Sequence, residues 1–189
     1  MSVTQSELLR VVLLSAGLAA APPVRAATQS PGSAASVGNG KSMTIAVAGG
    51  PVVLGNGPTQ VVCEATDLAL RVRTLTPNQR IYLVLRELHA AEQPGVLYRL
   101  YLDLPKDSQP EKNDVHYVGS LNFYNAVSLE GAPAGPNAGF FRSYDLTTLL
   151  KTLQQREALS DRTTITIIPS RAPAMSAKAS IGRIEIVEQ

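Results

Sequence analysis

The chain has 189 residues, with 17 basic against 15 acidic side chains and no tryptophan. This length suits one ordinary globular domain. The net charge of +2 is small and scattered along the sequence, which argues against nucleic-acid binding, because that requires basic residues gathered on one face.

The first 26 residues have the pattern of a secretory signal peptide. An apolar run (11–21) ends at Pro22 and Pro23, and valine and alanine occupy the −3 and −1 positions of a cleavage point after Ala26. The run is too short to span a bilayer. We therefore expect a periplasmic or secreted protein with no stable membrane insertion after cleavage. Residues 27–42 have the small, polar composition of a flexible linker.

From Met43 the sequence alternates between apolar and polar residues, which is typical of β-strands. One short helix is predicted from Asp145, which can cap its first turn and is followed by leucines at helical spacing. The pattern predicts a single all-β domain over residues 43–189, an antiparallel β-sandwich of jelly-roll type with one short helix. The predicted strands cover 43–48, 51–56, 59–63, 68–73, 80–88, 97–104, 116–124, the segment 140–144 before the helix, 163–169 and 180–188.

The stretch HYVGSLNFYN (116–125) concentrates aromatic residues around a glycine. Its alternation places Tyr117, Gly119, Leu121 and Phe123 on one face, which we expect to point inward. The other face, which ends at Tyr124, is mixed or solvated. Gly119 suits a bulge or the close approach of a neighbouring strand. This stretch is therefore interpreted as a core strand and not as a catalytic segment.

The residues that could carry chemistry are few. His89 and His116 are the only histidines, and neither lies in a paired metal-binding motif. Cys63 is the only cysteine and is expected to be buried and inert. No serine-nucleophile signature such as GxSxG occurs. The sequence therefore predicts no catalytic residue, no metal site and no cofactor.

Several segments, taken in order, resemble the C-terminal β-rich domain of polyphenol oxidases, the tyrosinase and catechol oxidase family of type-3 copper proteins. They are GVLYRLYLDLP (95–105), HYVGSLNFYN (116–125), YDLTTLLKTL (144–153), TTITIIPSR (163–171) and IGRIEI (181–186). The resemblance covers about residues 43–189. A type-3 site holds its copper ions with histidines on a helical bundle, and this chain has neither the histidines nor that bundle. The resemblance therefore implies the appended domain without the copper domain, and no catalytic role is carried over.

In that family the C-terminal domain covers the entrance to the copper site and can place a bulky side chain there. The resemblance thus implies an exported, non-catalytic accessory protein that shields, stabilises or assists copper loading of a separate type-3 copper oxidase. An aromatic side chain at a strand end or loop is needed for this role. The candidates are Tyr98, Tyr124, Phe140 and Phe141, with Tyr124 and the Phe140–Phe141 pair favoured because strand alternation assigns Phe123 to the core.

Two alternatives remain open at this stage. The first is a β-sandwich module that binds a small molecule or glycan on a sheet face or in its loops. The second is an independent enzyme whose site has no local signature. An exposed aromatic platform would favour the first alternative, and a cleft of converging carboxylates would favour the second. An apolar patch around Tyr124 and Phe140 would favour the accessory role.

Overall fold

The protein forms one antiparallel sheet that curls into a nearly closed barrel, as seen in a computed structural model that describes residues 42–65, 67–106, 108, 110–127, 140–159 and 162–189. The strands are β1 (Met43–Ala48), β2 (Val52–Val53), β3 (Thr59–Ala65), β4 (Ile81–His89), β5 (Tyr98–Leu102), β6 (Tyr117–Leu121), β7 (Phe140–Asp145), β8 (Arg162–Pro169) and β9 (Ser180–Glu188). The helices are α1 (Leu68–Thr74) and α2 (Thr147–Gln155), and a 3-10 turn covers Met175–Ala177. The predicted all-β antiparallel class is confirmed.

The strands are ordered β6-β5-β8-β3-β1-β9-β4-β7, and β2 pairs beside β9. The two outer strands, β6 and β7, approach each other and leave a seam in the barrel. The hydroxyl group of Tyr144 on β7 crosses this seam and donates to the carbonyl oxygen of Ser120 on β6 (3.0 Å). Burial raises the pKa of Tyr144 from the usual 10.0 to about 12, so the phenol can still donate this bond in alkaline solution where an exposed tyrosine has ionised.

The core lies inside the barrel and follows the predicted strand alternation. Inward positions on neighbouring strands are fully buried, and burying each such aliphatic side chain favours folding by about 1.5–3 kcal/mol. These residues include Leu83 and Leu85 on β4, Leu100 and Leu102 on β5, Ile165 and Ile167 on β8, and Ile184 and Ile186 on β9. The stretch 116–125 follows its prediction in part: Leu121 and Phe123 are buried and Tyr124 is exposed, as expected, but Tyr117 and Gly119 are only half-buried.

The prediction of a strand at residues 68–73 is wrong, because this segment is helix α1. Leu68 and Val72, four residues apart, are buried, whereas Leu70 between them is 58% exposed. This spacing matches a helical face and not a strand. Gln154 of α2 also donates to the carbonyl oxygen of Ala69 (2.6 Å) and joins the two helices.

The one predicted helix is present as α2, but it begins two residues later than expected. Helix α2 starts at Thr147, whose amide donates to Oδ1 of Asp145 (2.8 Å). Asp145 therefore supplies the expected acceptor from the last position of β7.

Several predicted segments lie outside the described residues. They are the signal peptide (1–26), the linker (27–42) apart from its last residue, and the Gly/Pro/Ala-rich surface loop predicted at 130–139. Within the described ranges, neither helix is long and apolar enough to cross a lipid bilayer.

Candidate functional site

Exposed apolar side chains gather at one end of the barrel. We call it the groove end, and it is formed by the last residues of β1, β4, β6 and β8 with the first residues of β3, β5, β7 and β9. Both helices lie at the opposite end, after β3 and β7. The exposed large apolar residues of the groove end are Val53, Leu97, Tyr124, Phe140 and Met175. This clustering makes the groove end the candidate interaction surface.

Tyr124 stands at the tip of the turn that follows β6, and the residue is 69% exposed. Asn122 shapes this turn, because its Oδ1 accepts the amide hydrogen of Tyr124 (3.2 Å). The amide of Ala126 donates to the carbonyl oxygen of Phe123 (3.0 Å), and Asn125 has a φ of 68°, which asparagine tolerates. The asparagines on both sides of the Phe-Tyr pair therefore build the turn that presents Tyr124 to solvent.

A shallow, open groove of about 450 Å³ lies beside Tyr124. Three segments form it: the chain before β5, the turn after β6, and the two residues after β8. Its lining residues are Gln93, Gly95, Val96, Leu97, Asn122, Phe123, Tyr124, Ser170 and Arg171. Among the described residues that line the groove, none is a carboxylate.

The other predicted aromatic residues occupy different environments. Tyr98 is 1% exposed and packs edge-on against Phe123, with ring centroids 5.6 Å apart. It is a core residue beneath the groove and does not reach the surface. Phe140 is 44% exposed at the start of β7, whereas Phe141 is half-buried with the Arg86 guanidinium 5.9 Å from its ring centroid. Tyr124 and Phe140 are thus the predicted candidates that the groove end presents to solvent.

The two histidines lie apart in separate roles. His89 is exposed at the last position of β4, at the groove end. His116 is buried before β6, at the helix end, where its Nδ1 lies 2.7 Å from the carbonyl oxygen of Leu102. Because a carbonyl oxygen only accepts, Nδ1 carries the proton. In the described part of the chain, no three His, Cys, Asp or Glu side chains gather to hold a metal ion.

Cys63 is fully buried on β3, opposite Thr163 of β8, as expected for an inert cysteine. Burial raises the pKa of its thiol from the usual 9.0 to about 11, and the negative charge of Asp103 acts in the same direction. Because the thiolate is the reactive form, this environment suppresses nucleophilic and metal-binding chemistry at neutral pH.

The raised pKa of Cys63 predicts a loss of stability in alkaline solution. Below pH 9 the Cys63 thiol is protonated in both the folded and the unfolded chain, so its ionisation does not affect stability. Between about pH 9 and 11 the thiol ionises only in the unfolded chain, which favours unfolding. The difference between the two pKa values corresponds to about 2–3 kcal/mol. Urea denaturation at pH 8 and at pH 11 should therefore show a smaller alkaline loss for Cys63→Ala than for the wild type. Parallel losses in the two proteins would contradict this account.

Comparisons with known proteins give one family match and several partial structural likenesses. The model of the domain of unknown function DUF7868 matches residues 32–189. No curated protein matches the chain. The structure of latent apple tyrosinase has a TM-score of 0.49 and 16% identity, covering 73% of this chain and 27% of that chain.

Two further solved structures show likenesses of the same limited kind. Recombinant latent aurone synthase, a polyphenol oxidase, has a TM-score of 0.47 and 15% identity over 72% of this chain and 25% of that one. The C-terminal CBM6 of LamC, a marine laminarinase from Zobellia galactanivorans, has a TM-score of 0.33 and 10% identity. That match covers 77% of this chain and 98% of the CBM6 chain. The chain spans about a quarter of the length of the tyrosinase and aurone synthase structures. Since the DUF7868 model covers most of the sequence, the chain belongs to the DUF7868 family.

Proposed function

We propose that this protein is a non-catalytic accessory module that binds a separate tyrosinase-type oxidase through its groove end. Binding would shield or stabilise the oxidase or assist its copper loading. The observation that carries the proposal is the exposure of Tyr124, a residue that is 69% exposed at the tip of a turn. The ordered motifs that resemble the polyphenol oxidase C-terminal domain suggest the class of partner.

The groove end has the composition of a protein-binding surface. Tyrosine is among the residues that most often dominate binding energies, because it offers a large apolar area with little side-chain entropy to lose. Tyr124 lines the groove together with the exposed Leu97, and polar groups of Asn122 and Ser170 line the same groove. An apolar centre with a polar border is the usual anatomy of an interface.

The proposal places both proteins outside the cytoplasm. The predicted signal peptide would export the chain, so the oxidase would be encountered in the periplasm or in the medium. The buried thiol of Cys63 suits an oxidising compartment, because it is shielded from intermolecular disulfide exchange.

The experiment is co-purification of the full chain with a type-3 copper oxidase from the same source, followed by assays of oxidase activity and copper content. We expect a stable complex in which at least one of these two quantities changes. Tyr124→Ala should weaken the complex by about tenfold or more, as expected for a central aromatic contact, and Phe140→Ala should weaken it less because Phe140 is less exposed.

The matched control is Leu70→Ala, which removes an exposed apolar side chain (58% exposed) from α1 at the opposite end of the barrel. This variant should bind the oxidase as the wild type does. Failure to form any complex would refute the proposed function. A complex that Tyr124→Ala and Leu70→Ala weaken equally would show that the groove end is not the contact surface.

A further inference from the structure

The groove beside Tyr124 has the dimensions of a ligand site. Its volume of about 450 Å³ falls within the range of about 300–1,000 Å³ typical of small-molecule pockets. One wall is the exposed ring of Tyr124, and Phe123, fixed by its contact with Tyr98, lies at the base. The groove thus combines an accessible aromatic face with a rigid floor.

Polar side chains in this groove are held by bonds to the backbone. Nε2 of Gln93 donates to the carbonyl oxygen of Phe123 (3.3 Å), and Nη2 of Arg171 donates to that of Gly95 (2.7 Å). Oγ of Ser170 accepts the amide hydrogen of Leu97 (3.3 Å). These bonds orient each side chain but use only some of the hydrogen bonds that it can form. Oε1 of Gln93 can still accept, while the Ser170 hydroxyl and the Arg171 guanidinium can still donate.

Asn122 adds an amide to the same groove. Its Oδ1 accepts a hydrogen bond from the backbone amide of Tyr124. The NH2 group of the same side chain can donate hydrogen bonds to a ligand in the groove. The lining therefore offers both donors and acceptors next to one aromatic ring. Of the described residues that line the groove, only Arg171 is charged, which disfavours a cationic ligand and leaves most of the recognition to neutral polar groups.

We propose that this groove binds a saccharide. A pyranose ring has an apolar C–H face that packs on the electron-rich face of an aromatic ring, and hydroxyl groups along its edge that both donate and accept hydrogen bonds. Tyr124 supplies the aromatic face. Asn122, Gln93, Ser170 and Arg171 supply the matching polar groups. The open form of the groove suits one or two sugar units of a longer chain.

This inference goes beyond the proposed accessory role, and the two can fail separately. Saccharide binding requires the groove residues Asn122 and Tyr124, whereas oxidase docking uses the wider apolar surface that includes Phe140. Phe140 does not line the groove. Arg171→Ala removes a donor of the groove that lies outside the turn presenting Tyr124, so it should impair saccharide binding and spare the oxidase complex. Phe140→Ala should weaken the oxidase complex and leave saccharide binding unchanged.

The test begins with the full chain, without any oxidase, on a printed array of plant, fungal and bacterial oligosaccharides. Calorimetric titration with the strongest binder then gives its Kd. We expect Tyr124→Ala to weaken binding by about tenfold through loss of the aromatic face, and Tyr124→Phe, which keeps the ring, to retain most of it. Asn122→Ala should also raise the Kd, with Leu70→Ala unchanged.

Thermal unfolding of each variant identifies any loss that reflects misfolding, and Tyr124→Phe keeps the test decisive if Asn122→Ala alters the turn. Binding to none of the printed saccharides would overturn the proposal. Binding that Tyr124→Ala leaves at wild-type strength would overturn it as well, because the sugar would then lie elsewhere on the protein.

Discussion

Phe123→Ala is expected to lower the free energy of unfolding by about 3–5 kcal/mol, whereas Tyr124→Ala, one residue later, should change it by no more than about 0.5 kcal/mol. Phe123 is 1% exposed, and its removal would leave a cavity beneath the groove. It would also remove the edge-on contact with Tyr98, worth about 0.5–1.5 kcal/mol. Tyr124 is 69% exposed, so removing its ring takes away few packing contacts.

Urea denaturation of the two variants and the wild type measures this contrast directly. Phe123→Leu serves as the intermediate case, because it fills most of the cavity and should cost less than Phe123→Ala. Equal losses for Phe123→Ala and Tyr124→Ala would mean that the turn after β6 does not separate an inward aromatic residue from an outward one.

Gly119→Val is expected to destabilise the barrel by about 2–3 kcal/mol, although valine is the better strand former. A Cβ atom at position 119 would lie 2.8 Å from Cδ1 and 2.9 Å from Cε1 of Tyr144. The ring cannot move aside freely, because its hydroxyl group donates to the carbonyl oxygen of Ser120 across the seam. The substitution therefore separates β6 from β7 or breaks this hydrogen bond.

A double-mutant cycle isolates the clash. Once Tyr144→Ala has removed the ring, Gly119→Val should lower the free energy of unfolding much less. Urea denaturation of the wild type, the two single variants and the double variant gives the interaction free energy between positions 119 and 144. If valine costs the same in both backgrounds, the close approach of Tyr144 is not the reason for glycine at this position.

Period-two alternation predicted most of the sheet because inward positions of a strand face one core and outward positions do not. It assigned Phe123 to the core and Tyr124 to the surface, and the expected role of Gly119 is met by the approach of Tyr144. Residues 68–73 were misassigned because LALRVR fits a strand pattern as well as a short helix. Packing of α1 against α2, a tertiary contact, decides between them.

The groove could not be predicted in the same way. Its residues come from segments near 93–97, 122–124 and 170–171, which are far apart in the sequence. They meet only because β5 pairs with β6 on one side and β8 on the other, placing Tyr98 opposite both Leu121 and Pro169. Such register depends on long-range pairing and leaves no local signature. The turn residues Asn122 and Asn125 were the one local sign that Tyr124 would project.

Strand β9 has a consequence for how the chain is made. It pairs with β1, β2 and β4 and so joins the two halves of the sheet, although it is the latest of the described strands in sequence order. During translation, β1 and β4 leave the ribosome well before the strand that lies between them. The sheet can close only after residue 188 has been synthesised, and until then these strands expose unpaired edges. The edges of β1 and β4 that β9 covers are therefore the last part of this sheet to be protected from wrong pairing as the chain is made.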